Sequence, residues 1–337
     1  MEIRTVKKEE FEELMAVMNE SFGFTEKEER FEHILPKLYF PDNPDMTHIG
    51  AFADGRLVGC AGLYRSTLLN GDKSLRAGCI GAVATLPGYR GRGVFTNVMS
   101  AVTVEAEKEG LDLLFLGGDR RRYGWFGFEN AGRNLEVRVS KRGKTLLKPL
   151  DRSVERFDGG DAGIIREMLK LYNTQKMRTL RTEADFYVTL KSWNAEIYYV
   201  AAGDGDNADR RMIGYFALAR GHISEFVYIE DAPGEHANLD TMLDAVTEIR
   251  NGVSMSLPMR FYRRGVLDRV DSWSVTHNHM FKILNEDAVI EFLGGDPGTV
   301  KAGLPDNEKS RAARILGDAA YDSAAGDNMF INEANSG

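Results

Sequence analysis

Ile80-Gly81-Ala82-Val83-Ala84-Thr85-Leu86-Pro87-Gly88-Tyr89-Arg90-Gly91-Arg92-Gly93-Val94-Phe95 is the stretch that decides the reading of this chain. An apolar, β-leaning run ends at Pro87, and a short loop rich in Gly and Arg follows it. Beyond the loop, Val94, Phe95, Val98, Met99, Val102 and Val104 stand among polar residues, and Gly110 predicts the stop of a helix. Strand, loop and helix in this order turn several backbone N–H groups outward, and the helix start adds the positive end of its dipole. Small glycines let a phosphate approach the main chain, while Arg90 and Arg92 offer charge-assisted hydrogen bonds. The chemistry that fits is a pyrophosphate site. A P-loop would need a Lys after these glycines, and none follows. A dinucleotide fingerprint would open a parallel sheet, whereas the β region before this loop reads as antiparallel. An ordinary tight strand-to-helix turn is the plain alternative.

Working outward, the chain before the loop forms an expected β-meander. Ile3–Val6 reads as a first strand, and Glu9–Phe22 puts Phe11, Leu14, Met15, Met18 and Phe22 on one helical face. A second helix is expected over 26–38, ended by Pro41. His48–Ala53 and Leu57–Leu69 flank an Asp54-Gly55 turn, and Lys73–Leu86 returns after Asn70-Gly71-Asp72. After the loop helix, Leu111–Leu116 is a near-continuous apolar run and reads as a buried strand. Leu135–Val139 is expected to close this first domain.

Two motifs here carry a resemblance. Arg90-x-x-Gly93 after the Val83–Pro87 strand end resembles the acetyl-CoA pyrophosphate loop of the GCN5-related N-acetyltransferases, the GNAT superfamily. Its usual Gln/Arg-x-x-Gly-x-Gly/Ala is broken by Phe95, a departure similar to the enhanced-intracellular-survival (Eis-like) branch, as is Tyr123-Gly124-Trp125-Phe126-Gly127-Phe128. The likeness is strong over residues 1–140 and faint beyond. It implies that strands four and five run parallel and splay apart, opening main-chain groups to which the pantetheine arm pairs like an added strand. It further implies that Ala82, Val83 and Ala84 contact that arm and the acetyl carbonyl. Arg90, Gly91, Arg92, Gly93, Val94 and Phe95 would hold the pyrophosphate, and Tyr123 would be the general acid. One of Arg120, Arg121 and Arg122 is a candidate for the coenzyme's 3′-phosphate; a solvated helix start is the plainer reading of the three.

The 337 residues are enough for two sizeable cores. Residues 141–156 read as a linker. After it, helices at 162–172 and 182–191, strands at 197–202, 212–220 and 222–229, a helix at 237–250 and strands at 253–257 and 280–284 repeat the first domain's order, with 203–211 as a turn. In the second copy the loop after the third strand reads Glu230-Asp231-Ala232-Pro233-Gly234-Glu235, whose acids would repel a pyrophosphate. The expected fold class is α/β (α+β), with two GNAT-like domains of mixed, mostly antiparallel sheet flanked by helices. Residues 1–145 form the acetyl-CoA-binding catalytic domain, 146–290 a degenerate copy without coenzyme, and 291–337 a short C-terminal extension.

A formal charge of −8 argues against nucleic acid as partner and leans toward cationic acceptors. No run approaches a membrane span and the first residues lack an apolar signal core, so the expectation is a cytoplasmic protein with no membrane partner. Cys60 and Cys79 read as buried structural thiols, and His277-x-His279 as a strand-end pair without further metal ligands. The function implied is acetyl transfer from acetyl-CoA to a primary amine, on a small molecule such as an aminoglycoside-like polyamine or on a peptide lysine. The second domain is expected to build part of the acceptor cleft, and the resemblance adds a homo-oligomer. Glu225, the terminal carboxylate of Gly337 and a water are open candidates for the base. A non-catalytic CoA-binding or interaction module is the rival from another class.

Overall fold

A computed structural model describes residues 1–141, 147–203, 210–232, 235–277 and 279–316. They fall into two compact units, one built from Met1–Gly132 together with residues 277–316, the other from Arg133–Thr276.

The first unit begins β1 (Glu2–Thr5), α1 (Phe11–Phe22), α2 (Phe31–Ile34), β2 (Met46–Ala53), β3 (Arg56–Asn70) and β4 (Lys73–Thr85). It continues α3 (Val94–Lys108), β5 (Leu113–Leu116), α4 (Arg120–Tyr123) and β6 (Glu129–Asn130). The β2–β3 hairpin turns on Asp54 (φ 51°) and Gly55 (φ 79°), left-handed values that a twisted hairpin requires. The helix expected over 26–38 is a 3₁₀ turn at Lys27–Glu29 followed by the single turn α2. Pro36 is why α2 stops: its ring disfavours the helical conformation of the residue before it, and Leu35 sits at φ −131°, ψ 60°. The apolar residues of that stretch are buried all the same, Phe31, Ile34, Leu35, Leu38 and Tyr39 among them.

The second unit runs β7 (Asn134–Val139), β8 (Arg152–Phe157), α5 (Ala162–Tyr172), β9 (Met177–Thr179), α6 (Glu183–Leu190), β10 (Glu196–Ala202), β11 (Arg211–Ala219), β12 (His222–Tyr228), α7 (Ala237–Ile249), β13 (Val253–Pro258), α8 (Arg264–Leu267) and β14 (Ser272–Thr276). The chain then re-enters the first sheet as β15 (Met280–Ile283), followed by α9 (Glu286–Phe292), α10 (Pro297–Ala302) and α11 (Glu308–Leu316).

Strand order in the first sheet is β1-β2-β3-β4-β5-β15-β6, and in the second β14-β7-β13-β12-β11-β10-β8. In the first, β4 and β5 are parallel neighbours, as expected. Their pairing covers only Ala77–Cys79 against Leu113–Phe115, so the strands part where β4 runs on toward Thr85. Val94, Val98, Met99 and Val102 of α3 bury against Ile49, Ala61, Leu63, Ile80 and Leu114, which anchors the helix start beside that gap. The second sheet repeats the arrangement: β12 and β13 are parallel and pair only at His222–Ile223 with Ser254–Met255.

Two strands lie in the other sheet from the one expected. Leu135–Val139, expected to close the first domain, pairs antiparallel with β13 and buries Leu135, Val137 and Val139 in the second core. Met280–Leu284, expected in the second domain, supplies β15, antiparallel to β5 from Met280↔Leu116 to Ile283↔Leu113. Side-chain alternation fixes which face of a strand is buried, not which sheet receives it. The expected linker 141–156 ends in β8, paired with β10. Residues 291–316 pack in the first unit: Phe292 O accepts from Asn70 Nδ2 at 2.8 Å, and Ala312, Ile315 and Leu316 are buried. Parts of the expected linker, of the 203–211 turn, of the acidic loop at Pro233-Gly234 and of the C-terminal tail, Gly337 included, lie outside the described residues.

Candidate active site

The loop quoted first is built by its glycines. Pro87–Tyr89 forms one 3₁₀ turn, Gly91 and Gly93 take φ 74° and 78°, and α3 starts at Val94 with Gly93 as its N-cap. No side chain caps that helix and no acid stands in its first turn, so its leading N–H groups face the loop without a protein acceptor of their own. Arg90 and Arg92 are exposed, and the Arg92 guanidinium lies 5.2 Å from the centre of the Tyr89 ring. Val94 turns inward, and a Cβ on Gly59 would stand 2.4 Å from Val94 Cγ1; Gly59 lets the helix start approach the sheet.

Beside the loop, β4 carries an irregularity. Gly62 pairs with Gly81 and Cys60 with Ala84, so Ala82 and Val83 together oppose one residue of β3, a β-bulge. Ala82 takes φ 48°, a left-handed conformation that an alanine rarely adopts, and it is buried. The bulge lies at the end of β4 that has parted from β5, where it re-aims main-chain groups. The sequence carries no signal for it, since alanine gives no hint of a positive φ.

Tyr123 ends α4 and is buried. Its ring meets Phe95 edge-on at 5.7 Å, and Phe95 meets Phe126 at 5.6 Å, so both motifs of the sequence join through Phe95. The larger residue at the loop's last position thus serves as the wall against which the tyrosine packs. Gly118 lies close against the same ring: a Cβ there would stand 2.2 Å from Tyr123 Cε2.

The family pattern described as Acetyltransferase (GNAT) domain matches residues 2–131. Residues 2–131 are a GNAT acetyltransferase domain. Among solved structures, the chain is similar to a probable N-acyltransferase of Enterococcus faecalis, with 16% identity and a TM-score of 0.67 over 86% of this chain and 74% of that one. It is similar to a GCN5-related N-acetyltransferase of Kribbella flavida at 16% identity and TM-score 0.61, covering 86% and 73%. The Eis1 protein of Mycobacterium abscessus matches at 14% identity and TM-score 0.60, over 87% and 76%. At such identities the likeness is one of fold, and it spans both units. No curated protein matches the chain.

Within the GNAT domain, Arg120 is an ion-pair partner of Glu129, with Nη2–Oε2 at 2.7 Å, and Arg121 is exposed. Cys60 and Cys79 are both buried and neither is in a disulfide, and burial pushes the Cys60 thiol up to about 12. Among the described residues no helix is long and apolar enough to cross a membrane.

The second unit fills the corresponding place from within. There the carboxylate of Asp231 accepts hydrogen bonds from the N–H groups of Asn238 (2.8 Å) and Leu239 (3.1 Å) at the start of α7. The acidic loop does more than repel an anion; it supplies one. Asp231→Ala is therefore expected to cost the second unit about 1 kcal/mol in urea denaturation, as loss of a helix cap does, with acetyl-CoA affinity unchanged.

Glu225, one of the candidate bases, is corrected by the structure. It sits on the inner face of β12 between Ile223 and Val227, wholly buried, with Arg181 Nη2 at 2.9 Å from Oε2 and Nη1 at 3.2 Å from Oε1. The Tyr215 hydroxyl donates to the same carboxylate. Its carboxylate is engaged in the core of the second unit rather than turned to an acceptor.

Proposed function

We propose that this chain is an acetyl-CoA-dependent N-acetyltransferase that moves the acetyl group directly to a primary amine. The observation that supports the reading most is the uncapped start of α3, with Gly91 and Gly93 at positive φ and two exposed arginines beside it, next to the bulge where β4 has left β5. Each component favours an anion or an added strand, and acetyl-CoA offers both: a pyrophosphate and a pantetheine arm. In this proposal Arg90 to Phe95 hold the pyrophosphate and Ala82, Val83 and Ala84 hold the arm and the acetyl carbonyl. Tyr123 gives its proton to the leaving thiolate. The acceptor is an amine of a cationic small molecule, such as an aminoglycoside-like polyamine, or a lysine side chain, and the setting is the cytoplasm. A homo-oligomer belongs to the same reading.

Calorimetric titration of acetyl-CoA tests it. Wild-type protein should bind with micromolar affinity, and Arg90→Ala should weaken binding roughly 10- to 100-fold, the value of a hydrogen bond to a charged group. Gly93→Val should weaken it too, since a β-branched residue cannot hold φ 78° without strain. Absence of binding to the wild type would overturn the proposal.

A further inference from the structure

On the face of the first sheet that carries Tyr39, three residues line up across three strands: His48 of β2 pairs with Gly62 of β3, and Gly62 pairs with Gly81 of β4. Antiparallel neighbours stand about 4.8 Å apart, so a ring on β2 that leans along this row reaches toward β4. His48 does lean so. A Cβ on Gly62 would stand 3.3 Å from His48 Cδ2 and 2.7 Å from the Met46 methyl, which means the imidazole and Met46 already cover Gly62. Over Gly81 the situation is reversed. A Cβ there would meet nothing closer than the Tyr39 hydroxyl, at 3.9 Å. Room for a methyl group is open at that point, and Gly81 immediately precedes the bulged Ala82.

The groups around this space are polar but uncharged. Tyr39 lies 5.9 Å from His48, ring centre to ring centre, and packs on Phe31 at 5.2 Å. Burial holds the His48 imidazole down at about 4, so it is neutral; burial, then the nearby Cys79 and Cys60, raise the Tyr39 phenol, so it keeps its proton. Nε2 of His48 is buried and has no hydrogen-bond partner among the described residues. A buried polar atom left unpaired costs stability, and a ligand that hydrogen-bonds to it would relieve that cost.

Resting on the acetyltransferase reading above, we infer that the space over Gly81 receives the terminal amino group of an unbranched aminoalkyl chain, with His48 Nε2 as the acceptor of its proton. Room of this size admits the end of an unbranched aminoalkyl chain, as on a lysine or a linear polyamine, and not an amine borne directly on a sugar ring. In the transfer, the neutral amine nitrogen forms a bond to the thioester carbon and the carbon–sulfur bond breaks. The proton leaving nitrogen passes to His48 Nε2, the thiolate takes the proton of Tyr123, and the imidazolium and phenolate then re-equilibrate with water. Nothing is oxidised or reduced.

The test uses the full chain, with 1,5-diaminopentane and glucosamine, an amino sugar whose amine is borne directly on the ring, as probe amines and CoA release as the readout. Turnover is expected with the linear diamine in preference to the amino sugar. His48→Gln should lower kcat/KM for the diamine roughly 100-fold, the lower range of general acid–base effects, with acetyl-CoA affinity unchanged. Gly81→Ala, which the fold accommodates, should raise the diamine KM about tenfold by taking up the space of one methyl group. The imidazole proton resonances that vanish in His48→Gln should shift when the diamine is added to the CoA-bound wild type. Wild-type kinetics in both variants, or unmoved His48 resonances, would overturn this inference alone. Failure of the wild type to bind acetyl-CoA would overturn the transferase reading and this inference with it.

Discussion

Replacing Tyr123 by phenylalanine is expected to lower kcat by roughly 10²-fold or more while leaving acetyl-CoA affinity within about twofold. The reasoning starts from the leaving group. Expulsion of a thiolate is assisted by a positioned acid, and a phenol hydroxyl is a side-chain group that can serve as one. The Tyr123 ring packs on Phe95 at 5.7 Å and lies close against Gly118. Phenylalanine keeps that packing, so the substitution removes the hydroxyl alone. Gly118→Ala provides the complementary case. Its methyl would press into the ring at 2.2 Å, so the hydroxyl stays in the chain but is moved, and kcat should fall with acetyl-CoA binding retained. Single-turnover measurements on both variants, beside calorimetry, separate the effects. Unchanged kcat in Tyr123→Phe would sink the assignment of Tyr123 as acid. Loss of affinity in step with kcat would make it a packing residue of the coenzyme wall.

Where sequence reading succeeded, the determinants were local. The Asp54-Gly55 turn, the alternation of β2 to β4 and the Gly-Arg loop before a helix each carry their cause within a few residues. The α2 segment stops short because Pro36 disfavours a helical Leu35, an effect legible in the sequence itself. The placement of β7 and β15 had no local signature at all. A strand such as Leu-Glu-Val-Arg-Val states which face it buries, and only tertiary pairing decides whether β5 or β13 receives it. The site divides in the same way. Arg90 and Gly93 stand in a Gly-Arg loop legible in the sequence and Tyr123 in a motif that resembles a family's, whereas the left-handed Ala82 and the row from His48 to Gly81 arise from cross-strand register, which no linear spacing encodes. Gly62 and Gly81 were the visible trace of that row. Glycines on facing strands of a long hairpin mark a close approach or an open space, and here they mark one of each.

The second large effect concerns Glu225. Glu225→Ala should destabilise the second unit by about 3–5 kcal/mol, because it leaves the Arg181 guanidinium buried without its main counter-charge. Against a typical folding stability of roughly 5–15 kcal/mol, that is enough to bring the unit near its unfolding threshold. Urea denaturation followed by Trp fluorescence reads it, since Trp193 and Trp273 both lie in this unit. Removing the whole polar group is a different perturbation. The triple variant Arg181→Met, Glu225→Leu, Tyr215→Phe leaves no orphaned charge and no phenol without its acceptor, so it should recover most of the loss. Breaking a buried pair is costly, whereas replacing it by apolar residues of similar volume is often neutral, and the difference identifies desolvation as the cause. The same triple variant bears on catalysis. A buried structural ion pair predicts that acetyl transfer survives in the refolded triple variant at close to its original kcat. A loss of about 10²-fold or more with stability restored would instead return Glu225 to the reaction as its base.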